Sequence, residues 1–507
     1  MKPIVVLRLA LAGTRTDTAR VVLTALSAAL ATLAALAALT VLAIPTPPAT
    51  DDNGGRWSQQ YANQLLVEPG LRGGTAFALL LLAIPVLGLA GQCARIGAPA
   101  RDRRLASFRL AGATPGQVTR VATAETGVAT LFGTLAGLAL YLVGHQLLHR
   151  PDAQGRLPLP TDVYPSTVGM VALVLGLPVV AALATALMLR RVTTTPFGVM
   201  WKVRTRGPWP WPGLLIILGL AAFAAIRPVA FWYDRRHAEL PPGLVPALLV
   251  GGGLAAMIGV VTGTGWISHT AGRLLHRYAR RPAALLAARR LTADPWAGSR
   301  TFAALLAALI FGAGAAGFRA YFLATVELDA RTGSERVASD DFYLGTMDLI
   351  DLAVAVGMTI AAGGLLVALV EGVTARRRQY AALVATGVPR GTLGRSILWQ
   401  SLAPAVPAIA VALTVGLLLV RGALGSPRSG GFSQETCDAD AALCADPATA
   451  APYVRTEWVP EITVVPGVPV EQLAWLAAGA LVAVLATVVV GLLVLRSSTA
   501  VEELRTT

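Results

Sequence analysis

Ten apolar stretches recur along the chain, at about 20–44, 73–93, 121–143, 167–189, 212–227, 243–268, 301–323, 349–373, 396–420 and 473–495. Most approach the ~20 residues that a helix needs to cross ~30 Å of hydrocarbon. The fifth is short and flanked by prolines. It completes a crossing only if "PVAFWY" after Arg227 continues the helix. The pattern predicts an all-α polytopic membrane protein with ten transmembrane helices.

The polar segments between these stretches repeat. "RDRRLASFRLAGATPGQVTR" starts at Arg101, and "RRRQYAALVATGVPRGTLGR" starts at Arg376, 275 residues later. At that offset Arg103 meets Arg378, Gly112 meets Gly387, Gly116 meets Gly391 and Arg120 meets Arg395. Each copy reads as a short helix across the membrane surface, Leu105–Ala111 and Gln379–Thr386, stopped by a glycine with a proline soon after. The apolar stretches group around these copies. Residues 1–192 form one four-span unit and 285–507 another, joined by a two-span linker, 193–284. Two extra spans, unlike one, keep the second unit parallel to the first, so the repeats relate by an axis along the membrane normal.

Composition sharpens this picture. Only 14% of the 507 residues are charged, against about 25% in soluble domains. The net charge of +14 could point to nucleic acid, but it is dispersed over short loops, which is the membrane pattern. Nucleic acid is therefore not an expected partner; the lipid bilayer is. With the N-terminus cytoplasmic, the cytoplasmic segments hold 29 of the 42 Lys and Arg and 7 of the 28 Asp and Glu. That bias predicts a multi-pass protein with both termini in the cytoplasm, the first span being a retained anchor rather than a cleaved signal.

Candidate chemistry is sparse. No G-x-x-x-x-G-K-[ST] phosphate loop occurs, and the two lysines, Lys2 and Lys202, follow no such glycines. ATP hydrolysis by this chain, a bound metal and a bound cofactor are not expected. His145 and His149 lie four apart on one helical face but have no evident third metal ligand. Cys437 and Cys444 fall in the longest external loop, where they form either a disulfide or two free thiols. Arg319 at the outer end of the seventh span is a candidate ion-pair partner for Asp348 or Asp351 at the start of the eighth.

The duplicated segment resembles the FtsX-like permease family of ABC transporters. There, the stretch after the second span of each four-span unit has arginines, then an "L-x-A-L-G-A"-like helix, then a basic turn. The resemblance covers both units. An acidic residue common early in the next span has its match in Glu125, while Gln400 stands at that place in the second copy. The ten-span layout is similar to that of bacitracin-exporter-type permeases. It departs from them at residues 324–348, a short loop where those carry a large external domain. Residues 45–72 are likewise short where other branches of the family carry one.

The resemblance implies a bacterial plasma-membrane permease subunit partnered by two copies of a cytoplasmic ABC ATPase that holds the ATP and magnesium. It implies coupling to that ATPase through Arg101, Arg103, Arg104, Leu105, Phe108, Arg109 and Gly112 in the first copy. In the second copy the corresponding set is Arg376, Arg377, Arg378, Tyr380, Leu383, Gly387 and Arg390. Export or extraction of a peptide, lipid or drug-like amphiphile is the first functional reading. A non-transporting subunit that drives an extracellular hydrolase or a sensor kinase is the second. A secondary transporter is a third, which leaves the duplicated surface helix without a purpose.

Overall fold

A backbone in hydrocarbon has no water to bond, so it must satisfy its own polar groups, and a helix does so within one segment. The computed structural model describes residues 15–47, 57–81, 86, 107, 110–193, 209–241, 243–332, 340–375, 377–437 and 454–498. The first unit contains α1 (Arg15–Ala43), α2 (Pro69–Leu81), α3 (Pro115–Leu147) and α4 (Thr167–Thr193). Next come α5 (Trp211–Asp234) and α6 (Leu244–Tyr278). The second unit contains α7 (Pro282–Ala293), α8 (Trp296–Thr332), α9 (Asp340–Ala375), α10 (Arg377–Ala385), α11 (Arg390–Leu424) and α12 (Val470–Ser498). Among the described residues nine helices are long and apolar enough to cross a membrane. The expected second span begins in α2; beyond Leu81 it lies, but for Val86, outside the described residues.

The fifth span does continue through "PVAFWY". α5 runs unbroken past Pro228 to Asp234. Several helices exceed a bilayer's thickness: the 33 residues of α3 extend about 50 Å at 1.5 Å per residue. The apolar stretches therefore mark only the lipid-covered part of longer rods.

The repeat is visible in the geometry. α3 and α11 start at Pro115 and Arg390, again 275 positions apart. Gly112 and Gly387 before them have φ of 91° and 90°, a region where a side chain is strained. The caps that follow differ. Thr114 accepts from the Gln117 amide while the Gln117 side chain accepts from the Thr114 amide, a capping box. Pro389 gives α11 no side-chain cap.

Small residues govern the packing. On α3, a Cβ at Gly133 would overlap the Ala25 carbonyl oxygen of α1, and one at Gly137 would come within 2.7 Å of the Ala29 carbonyl oxygen. The matching positions of α11 are Ala408 and Ala412, both fully buried, and a turn further on a Cβ at Gly416 would overlap the Ile310 carbonyl oxygen of α8. Without a hydrophobic drive between helices in lipid, such close approach is a main source of association. Side chains add hydrogen bonds across the first unit, Thr40 to Tyr141 at 2.7 Å and Thr134 to the Val174 carbonyl at 3.1 Å.

The linker helices are built into the second unit. Ala256 and Val260 of α6 share one core with Leu305, Leu306 and Leu309 of α8, Leu365 of α9, Ile409 of α11 and Val484 of α12. α5 packs on α6 and α11. At the end of α11, Gly425 has a φ of 67° and leaves the space that the Arg227 guanidinium of α5 occupies. A cation beside a helix C-terminus is favoured by the exposed carbonyls.

Each unit also carries folded structure on its acidic face. In the first unit, Leu157 pairs with the loop around Tyr61, the Ala62 amide donating to its carbonyl at 2.9 Å. The buried Tyr61 hydroxyl donates to Asp162 at 2.7 Å. Burial and that carboxylate push the phenol well above its ordinary pKa range. The buried Arg72 donates to Ser58 at 2.6 Å and to the carbonyls of Leu66 and Ile44 at 2.8 and 3.1 Å. In the second unit the segment after α11 forms two antiparallel ribbons. β1 (Arg428–Ser429) pairs with β4 (Ile462–Thr463), and β2 (Phe432–Cys437) with β3 (Val454–Val459). Val464 buries its side chain against Ala324 and Leu328 of α8.

The contact at Gly133 makes a clear prediction. Gly133→Val should lower the thermal unfolding midpoint in detergent by several degrees, since overpacking costs ~1–3 kcal/mol. Gly144→Val should not, because nothing lies within 4 Å of a Cβ there. Equal midpoints would refute the close α1–α3 contact.

Candidate functional site: the basic-face helix and its seat

α10 is a nine-residue helix between the ends of two spans. Its stop is local chemistry. The Val388 amide donates to the Leu383 carbonyl and the Gly387 amide to the Val384 carbonyl, each at 3.0 Å. This is a Schellman arrangement, with Gly387 in the left-handed position and Val388 beside Leu383 in one apolar cluster.

That cluster is the seat. Tyr380, 5% exposed, packs with Val373 of α9, Leu393 and Ile397 of α11 and Val488 of α12. Leu383 and Val384 join it partly buried. One short helix is thereby rooted on three spans. Tyr380 and Leu383 belong to the seat and not to the exposed face, which carries Gln379, Ala382, Ala385, Thr386 and Gly387. The Ala, Thr and Gly on this face present a shallow surface close to backbone.

A fourth helix is tied in from the side. α7 lies against α6 and α11 through Ala283, Ala284, Ala287, Ala288 and Leu291. From it Arg290 donates to the Tyr380 hydroxyl, with its guanidinium carbon 5.1 Å from the ring centroid. This pairing joins residues 90 positions apart. No spacing rule in the sequence could have found it.

Arg390 is exposed at the start of α11. Arg377 and Arg378 lie on α10, with side chains outside the described residues, as is all of Arg376. In the first copy Gly112 is described, while Arg101, Arg103, Arg104, Leu105, Phe108 and Arg109 lie outside the described residues.

On the acidic face, Arg319 Nη1 stands 3.0 Å from Asp348 Oδ1 and 2.9 Å from Asp351 Oδ2. Cys437 closes β2 opposite Val454, and Cys444 lies outside the described residues. His145 and His149 do not converge. His145 Nε2 meets the Val163 carbonyl at 3.1 Å and its ring stacks on Tyr164 at 4.1 Å, while His149 Nδ1 meets Thr161 at 2.9 Å. Among the described residues no cluster of His, Cys, Asp and Glu could hold a metal ion.

The fold and the seated helix define a multi-pass α-helical membrane protein in which two units share one plan. The FtsX-like permease C-terminal model matches residues 75–197 and 352–501, together more than half of the chain. The chain belongs to the FtsX-like permease family. The two matched stretches start 277 residues apart, close to the 275 of the internal repeat. A search of curated proteins gave no match. Membership makes the protein a permease subunit of an ABC-type system, a membrane component of a kind that is generally non-catalytic.

The seat makes the second prediction. Losing a hydrogen bond from a charged donor costs ~1.5 kcal/mol or more. Tyr380→Phe should therefore raise amide hydrogen exchange across residues 379–387 by roughly tenfold. In an Arg290→Ala background the same change should add little, because the partner is already gone. Additive effects would show that the two side chains do not act together.

Proposed function

We propose that this chain, as one copy carrying both units, joins two copies of a cytoplasmic ABC ATPase and passes their motion through the two basic-face helices to the spans. ATP and magnesium belong to the partner. The observation that carries this reading is α10, seated on α9, α11 and α12 with a shallow exposed face, at a position that recurs with the 275-residue repeat. A partner gripping that face would move the ends of three spans at once. Family members typically pair with such an ATPase.

In this reading that face is cytoplasmic, with both termini on the same side, which the excess of Lys and Arg around α10 and its counterpart supports. The exported or extracted substrate is an amphiphile. In this reading Tyr380 and Leu383 transmit force, while Gly387, Arg390 and the arginines before α10 meet the ATPase.

Two measurements test the proposal. Native mass determination of the complex should give one copy of this chain per two ATPase subunits; two copies per pair would overturn the pseudo-dimer. Ala382→Pro breaks α10 from its exposed side, since proline inside a helix costs ~3 kcal/mol. It should abolish stimulation of the ATPase, or its co-purification, at unchanged membrane levels. Wild-type assembly and stimulation in this variant and in Ser107→Pro would reduce the repeated segment to a topology signal.

A further inference from the structure

On the acidic-face half of the second unit, α8, α9 and α12 splay around a cleft of about 570 Å³, within the ~300–1,000 Å³ of small-molecule sites. Its walls are mostly apolar, with Gly312, Val354, Met358, Leu476 and Gly479 along its length, Trp475 at the rim, and Thr359 and Gln472 as the uncharged polar side chains. Trp475 is 73% exposed, so the cleft is open to its surroundings at that rim. The lining on α9 runs from Asp351 to Ala362, about 16 Å at 1.5 Å per residue and thus about one leaflet of a ~30 Å hydrocarbon core. Glycine lets its walls approach closely: a Cβ at Gly312 would come within 2.8 Å of Val354 and 3.0 Å of Leu476, and one at Gly479 within 3.4 Å of the Met358 methyl.

Charge sits only at the mouth. Asp351 lines the cleft, and Asp348 stands one turn above it. Both carboxylates share the same Nη1 of Arg319, each through one oxygen. Two carboxylates against one guanidinium leave one negative charge in excess. The second oxygen of each carboxylate, Asp348 Oδ2 and Asp351 Oδ1, takes no part in the Arg319 pairing. Asp348 and Asp351 side chains are 69% and 45% exposed, so a head group can reach them.

We infer that this cleft binds an amphiphile with a primary ammonium head at Asp348 and Asp351 and one apolar chain laid between α9 and α12. An ammonium has three donors and no acceptor, which matches a pair of carboxylates with oxygens to spare. An anionic head group would meet that charge with repulsion, and a neutral one would gain nothing from it. The inference rests on the permease reading only in taking the bound amphiphile as substrate; the binding itself does not.

The test uses the full chain in nanodiscs of zwitterionic lipid, without any ATPase. Two photoreactive probes share one diazirine-bearing alkyl chain; one ends in an ammonium and the other in a sulfonate. Peptide mapping should place the ammonium probe on residues 351–362 and 472–483, at least about fivefold above the sulfonate probe. Asp348→Asn with Asp351→Asn leaves Arg319 alone at the mouth and should reverse the preference. Gly479→Leu fills the cleft and should remove labelling by both probes. Equal labelling by the two probes, or labelling spread over lipid-facing positions such as Leu183 and Leu218, would mean bulk lipid only and would overturn the inference. If the double variant does not fold, the wild-type comparison and Gly479→Leu still decide. Failure of ATPase co-purification would sink the coupling proposal and leave this result untouched.

Discussion

The structure depends on backbone-to-backbone approach where side chains would otherwise keep helices apart. Lipid tails are as apolar as leucine, so burying leucine between spans gains little over leaving it in the bilayer. What distinguishes a contact is how near two helices come. Gly133 and Gly137 on α3, and Gly416 on α11, each sit where a Cβ would run into a carbonyl of the facing helix. Dispersion and weak Cα–H···O contacts then add along the whole crossing. The long helices α3 and α11 are thereby the posts of their units. Each post begins three residues after a left-handed glycine, so the surface segment and the packing stripe hold a fixed register along one rod.

That register roots a surface element on the spans. A short amphipathic helix on a membrane face is by itself a mobile object, since few buried contacts hold it. α10 differs because its apolar side chains enter a gap bounded by three spans, and because the Schellman stop turns the chain directly into α11. Arg290 then ties it to α7, which lies on α6 and α11. The helix is clamped on two sides and its third face carries mostly small side chains. Rigidity on the inside with low relief on the outside suits an element that is pushed.

Much of this was legible in the sequence, and what was missed has a common cause. Span positions and the stops at Gly112 and Gly387 follow from local signals: apolar length, glycine and proline placement, and a repeat offset. Pro228 left α5 ambiguous, because proline usually ends a helix in water, whereas in a membrane neighbouring helices can support the freed carbonyl. The pairings between distant residues, on either face, were not readable. Tyr61 meets Asp162 across 101 positions, and Arg290 meets Tyr380 across 90. Such pairs carry no periodicity, so a short loop reads as a bare connection even when it folds into a cap. Tyr380 and Leu383 show the same limit in the site: sequence marks the helix, but only packing decides which residues face inward.

The two units keep one plan and load it differently. At the repeat offset, Tyr380 falls on Leu105 and Gln400 on Glu125. Leucine has no hydroxyl to accept from an arginine, so the Arg290–Tyr380 tie has no equivalent of the same chemistry in the first copy. Glu125 is 8% exposed within α3, whereas the second copy carries a neutral amide at that place. The linker helices α5 and α6 enlarge the core of the second unit, and the Arg227 guanidinium of α5 sits against Gly425 at the end of α11. These contacts brace the second unit, and the cleft with its carboxylate mouth lies within it.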